Sequence, residues 1–146
     1  MLAEANGGKS REPSWYSYAI VRAVPRVERG ECLNVGVILF ARTLGFLDMR
    51  IEVDEPLLRT LWPDIDLDEL QRHLTAFREV CAGNEAGGPI AALDPSARFH
   101  WLTSPRSALI QTSPVHVGRC DDPAAALEEL IASLVRRPRE GRNAES

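Results

Sequence analysis

Residues 22–40 read RAVPRVERGECLNVGVILF, and this stretch decides how the chain folds. Its two ends are apolar and β-branched, as strands are, while the polar segment over residues 25–31 is typical of a connection. Strands predicted over residues 16–24 and 32–40 therefore form a hairpin, and the second is apolar enough for burial on both faces. Residues 46–53 alternate apolar and polar side chains, which adds a third antiparallel strand to make a meander.

Helix caps and apolar periodicity predict three helices after the meander. Asp54 caps a short helix that Pro63 ends. Asp66 and Gly83 bound a longer amphipathic helix, and Asp122, followed at once by proline, opens the last helix.

Further strands are predicted in the second half of the chain. Residues 84–95 carry Gly, Ala and Pro and are predicted to form a loop, while residues 98–103, 108–111 and 115–117 are predicted to be short strands. The sequence thus predicts an α+β fold. We expect an antiparallel sheet, made of the N-terminal three-stranded meander and the short C-terminal strands, covered on one face by amphipathic helices.

The 146 residues fit one domain. We expect a disordered leader over residues 1–14, a single α+β domain over residues 15–136, and a disordered charged tail over residues 137–146.

Charge and cysteine content limit the classes of function. The net charge of −4 makes nucleic acid an unlikely partner, and no apolar run approaches the ~18 residues that suggest a membrane span. The three cysteines are few and far apart, which predicts reduced thiols and a cytoplasmic protein. Neither a metal site nor a cofactor is indicated by any motif.

Polar residues in the hairpin form the first candidate site. In a regular hairpin Arg22 lies opposite Asn34, and Ile20 lies opposite Gly36. A buried guanidinium needs an acceptor, and a glycine nearby leaves room for a backbone or a ligand.

The connection adds Glu28, Arg29 and Glu31 to this candidate binding site. A simpler interpretation is that Glu28 or Glu31 pairs with Arg22 while Asn34 bonds to the loop backbone. Both interpretations are compatible with the sequence.

The second candidate site lies in residues 103–118, TSPRSALIQTSPVHVG. Arg106 and Ser107 can form an anion nest that binds a phosphate or carboxylate, although an ordinary turn has the same composition. His116 can act as a general acid or base, or as a hydrogen-bonded structural residue.

Two stretches, YAIVRAVPRVERGECLNVGVILF and SPRSALIQTSPVHVGRCDDPAAALEEL, resemble the bacterial family named domain of unknown function 3037. The order ERGE-x-x-NVGV-x-L, followed by PRS, HxG and DP, carries the resemblance. The family has no assigned activity, but its members are often encoded beside kinases similar to toxin-type kinases. The resemblance therefore implies a protein partner, with a kinase as a candidate. The motif positions are Glu28, Arg29, Gly30, Glu31, Asn34, Arg106, Ser107 and His116.

Three functions follow as alternatives. The first is a binding or regulatory module in which Glu31, Asn34, Arg106 and Ser107 hold a protein segment or a small anionic ligand. The second is an enzyme acting on a phosphoester or nucleotide, with His116 and Glu31 as the acid/base pair and Arg106 on the phosphate. The third is an interaction domain whose motifs only maintain its turns.

Overall fold

A computed structural model describes residues 12–137 of the chain. The predicted leader and charged tail fall almost entirely outside these residues, and a strand already begins at Ser14. No helix within the described part has both the length and the apolar character needed to cross a membrane.

Within the described residues, five strands form one antiparallel sheet: β1 (Ser14–Ala23), β2 (Leu33–Ala41), β3 (Phe46–Ile51), β4 (Ile110–Thr112) and β5 (His116–Cys120). The first four lie in the order β3-β2-β1-β4, and β5 pairs with the N-terminal half of β1. Strand β1 is therefore central, because β2 lies along one edge while β4 and β5 share the other.

The α-helices of residues 12–137 are α1 (Glu55–Leu61), α2 (Leu67–Ala82), α3 (Gly88–Ala91), α4 (Pro95–Leu102) and α5 (Pro123–Leu134). The three predicted helices are confirmed as α1, α2 and α5. Their caps are those expected: the side chains of Asp54, Asp66 and Asp122 accept backbone N–H groups of the first turn, and Gly83 ends α2 in the left-handed conformation.

The α+β fold class is confirmed, but helices cover both faces of the sheet rather than one. Helices α2 and α4 pack on the face that includes Val21 and Ile38. Helix α5 buries Leu127 and Ile131 on the other face, against Val37 and Leu39. The cause is the continuous apolar run of β2, which needs cover on both sides. Each fully buried Leu or Ile contributes about 1.5–3 kcal/mol.

The strand predicted over residues 98–103 is wrong, because these residues belong to helix α4. Asp94 is its N-cap and accepts the backbone N–H of Ala97 at 2.8 Å, with Pro95 in the first turn. This is the same cap-and-proline signal that correctly placed α5. The predicted loop over residues 84–95 holds α3 and a 3₁₀ turn. The other two predicted strands are present as β4 and β5, shifted by one or more residues.

The hairpin register agrees with the prediction at Arg22 and Asn34, which lie opposite each other. Gly36, however, lies opposite Val21 rather than Ile20, because a bulge shifts the register between these positions. A Cβ atom on Gly36 would stand 2.6 Å from the Arg50 carbonyl oxygen. The glycine thus allows close approach of the β3 backbone, and not of a ligand.

Candidate binding site at one end of the sheet

The two motif segments meet at the end of the sheet where β1 finishes. Ala23 pairs with the first residue of β2 and with the first residue of β4. One residue further on, the Val24 N–H donates to the Leu109 carbonyl oxygen at 2.7 Å. We call the surface formed by residues 24–32 and 103–109 the motif end.

The β1–β2 connection contains a turn closed by backbone hydrogen bonds over residues 26–30, and ion pairs join near neighbours within it. Gly30 has a φ of 72°, which favours glycine. The Arg29 guanidinium donates to both carboxylate oxygens of Glu31, at 3.0 and 2.8 Å, and this hydrogen bonding lowers the pKa of Glu31. Arg26 pairs with Glu28 at 2.9 Å in the same way. The two glutamates therefore pair within the turn, and the interpretation that one of them neutralises Arg22 is wrong.

A cleft of about 360 Å³ separates this turn from the α1–α2 connection. Arg26, Arg29 and Glu31 line one side. The other side is mostly apolar and comes from residues 61–65, where the Leu61 side chain is 50% exposed. The cleft thus offers a paired, planar Arg–Glu unit facing an apolar wall that is open to solvent.

Three polar side chains form a row across the sheet just behind the motif end. Arg22 lies opposite both Asn34 and Gln111, so all three project from the α5 face. The Asn34 side-chain amide donates to the Leu134 carbonyl oxygen at 3.0 Å, which ties the end of α5 to the sheet. The buried Nε of Arg22 has no hydrogen-bond partner among the residues that the structure describes.

Arg106 lies at the motif end but faces inward. Its guanidinium carbon lies 4.9 Å from the Phe77 ring centre and 4.7 Å from that of Trp101. It also donates to the Trp101 carbonyl oxygen, and burial lowers its pKa. Ser107 beside it is exposed. These contacts join α2 to α4, so the Arg106 guanidinium already has partners within the protein.

His116 lies far from the other motif residues. It is exposed on β5, opposite Tyr18, with the two ring centres 5.3 Å apart. Tyr18 precedes Ala23 by five positions on β1, which corresponds to about 17 Å of extended strand. Since Glu31 lies beyond the Ala23 end, His116 and Glu31 do not form an acid/base pair.

The apolar wall of the cleft was missed from the sequence. Its signal is the run Leu61, Trp62, Pro63, in which large apolar residues stand just where a short helix must end.

Cys32 is exposed rather than packed in β2. Over residues 12–137, no group of three or more His, Cys, Asp or Glu side chains is arranged to hold a metal ion.

Comparison with known proteins identifies the family of the chain. The sequence model of the family described as "Protein of unknown function (DUF3037)" matches residues 18–135. No curated protein and no solved structure matches the chain. The matched region contains every element from β2 to α5, and hence both motif segments.

Proposed function

Because the chain belongs to the DUF3037 family, for which no activity is assigned, we propose a function from the geometry: a binding or regulatory module that recognises a protein partner at the motif end. The cleft between residues 25–31 and 61–65 is the contact site. A kinase is the candidate partner, as the motif resemblance implies, and the cytoplasm is the expected compartment.

The cleft carries this proposal. Apolar and aromatic side chains beside an arginine are the composition of protein-binding surfaces. The Arg29–Glu31 pair is joined by two hydrogen bonds, so a partner meets a donor and an acceptor side by side. Such an arrangement contributes more to the selectivity of partner recognition than to the binding affinity.

A small anionic ligand is a second candidate, supported by Arg22. Its guanidinium has a buried Nε without a partner in the described part of the chain, and a carboxylate or phosphate would satisfy it. The enzyme alternative receives no such support, because Glu31 and His116 lie at different ends of β1.

The test uses variants that change recognition without changing the fold. The tagged chain is used to recover partners from its native host, and each recovered protein is then purified and titrated by calorimetry. Leu61→Asp should weaken binding at least tenfold, because it places a charge on the apolar wall. Leu44→Asp is the matched control, since Leu44 is similarly exposed, at 43%, on the β2–β3 turn.

A second variant tests the charged side of the cleft. The double exchange Arg29→Glu with Glu31→Arg keeps the ion pair and the net charge but reverses its direction. It should leave the unfolding midpoint unchanged, since an exposed pair contributes little to stability, and should abolish binding. A partner that binds both variants as tightly as the wild type would refute the cleft as the contact site.

A further inference from the structure

A second and larger groove, of about 720 Å³, lies beside the half of β1 opposite the motif end, and Thr103 is the one lining residue that also belongs to the motif end. It runs along the face that α4 packs on, where the first residues of β1, the end of β2 and strand β5 come together. None of the motif residues lines it.

The depth of this groove comes from a small residue set between large ones. Ser17 on β1 lies opposite Phe40 on one side and Val117 on the other. Its short side chain leaves a floor bounded by these two residues and by Phe99 of α4, whose ring centre lies 5.3 Å from that of Phe40. Ser96 and His100 of helix α4 line the groove beside Phe99.

The apolar lining is unusually exposed. Trp15 is 62% exposed, Val117 67% and Val115 45%, and all three line the groove. Single exposed apolar residues need no explanation, but a contiguous set beside a cavity marks a binding surface.

The charge of the groove selects the ligand. The chain contains 21 acidic residues, yet among residues 12–137 no carboxylate lines this groove, and Arg42 is the one arginine or lysine from these residues that does. Arg42 is exposed and makes no ion pair with any residue from 12 to 137. The hydroxyls of Thr43 and Ser96 and the His100 imidazole supply further polar groups in the same lining.

We propose that this groove binds a small amphipathic molecule consisting of an apolar chain or ring system and one carboxylate. The carboxylate pairs with Arg42, and the apolar part lies against Trp15, Phe99 and Val117. The volume falls within the range of about 300–1,000 Å³ that is usual for small-molecule sites. An apolar lining with a few polar groups is also typical of such sites. The proposal does not depend on the function proposed for the motif end.

The experiment uses laurate as the probe and dodecyltrimethylammonium as its charge-reversed counterpart. Both are titrated into the full chain below their micelle concentrations, with calorimetry for affinity and backbone amide chemical shifts for location. Laurate should bind at one site and shift the amides of Trp15, Arg42 and Val117, while the cation should bind at least tenfold more weakly.

Variants at the charged position then test the assignment. Arg42→Gln should weaken laurate binding about tenfold, the usual effect of losing a charge-assisted hydrogen bond, and Arg42→Glu should reverse the preference toward the cation. Arg59→Gln, an exposed arginine on α1, is the control and should leave the affinity unchanged.

Three results would overturn the proposal. The first is the absence of saturable laurate binding, and the second is equal affinity of wild type and Arg42→Gln. The third is a concentration-dependent dimer, seen by light scattering, that shifts the same amides in the absence of laurate, because a second copy of the chain would then occupy the groove.

Discussion

Replacing Arg106 by alanine tests whether this motif residue maintains the fold or contacts a ligand. Its guanidinium lies within 5 Å of two aromatic ring centres and also donates to a backbone carbonyl. Each cation–π contact contributes about 0.5–1 kcal/mol at a partly exposed position. A charged hydrogen bond to a carbonyl adds about 1.5 kcal/mol or somewhat less where it is exposed.

The expected loss for Arg106→Ala is therefore about 2–3 kcal/mol. In urea unfolding followed by circular dichroism, this loss corresponds to a midpoint lower by roughly 1–1.5 M, because small domains have m values near 2 kcal/mol/M. Arg106→Lys keeps the charge but not the planar stacking, and should fall between alanine and the wild type.

Arg119→Ala is the control for Arg106. Arg119 also lies over one ring, that of Trp15, at 4.9 Å, but this ring is exposed and Arg119 belongs to the edge strand β5. Its loss should not exceed about 1 kcal/mol. If Arg106→Ala lowers stability no more than Arg119→Ala does, the structural role is refuted, and Arg106 becomes available as a ligand contact.

Three further predictions concern stability and reactivity. Gly36→Ala should cost about 1–3 kcal/mol, measured by urea unfolding, because its methyl group would stand 2.6 Å from a β3 carbonyl oxygen; a neutral effect would contradict the close approach of β3. Burial raises the pKa of the Cys81 thiol to about 12, so this residue should resist iodoacetamide at pH 7 until the chain unfolds, as peptide mass spectrometry would show. The hydrogen bonds from Arg136 lower the pKa of Glu52. The stability that they contribute is therefore present above pH 4.5 and is lost as the pH falls below this value. Arg136→Ala should make the melting temperature less sensitive to acid, and an unchanged dependence of the melting temperature on pH would argue against the Arg136–Glu52 pair.

Local signals in the sequence predicted most of the fold. The caps Asp54, Asp66 and Asp122 act within one helical turn, so their effect is visible without knowledge of distant contacts. Helix α4 was missed although Asp94 and Pro95 give the same signal, because the aromatic residues that follow resemble a strand. The apolar run of β2 indicates that helices cover both faces of the sheet. The sequence of each helix, however, does not indicate which face that helix covers.

The candidate site was predictable only where it depends on the hairpin. The opposition of Arg22 and Asn34 follows from counting along two adjacent strands. The separation of Glu31 from His116 does not, because it depends on which half of β1 receives β5, a choice made between segments about a hundred residues apart. The apolar wall of the cleft likewise depends on where α1 packs.

The central position of β1 has a consequence for how the chain folds during synthesis. One edge of β1 pairs with β2, which follows within 20 residues, but its other edge pairs with residues 110–112 and 116–120. At about 5–20 residues per second, translation leaves that edge without its partner for roughly ten seconds. Throughout this interval the hairpin exposes unpaired backbone groups. The nascent chain is therefore most prone to aggregation, and most dependent on chaperones, between the emergence of β3 and that of β4.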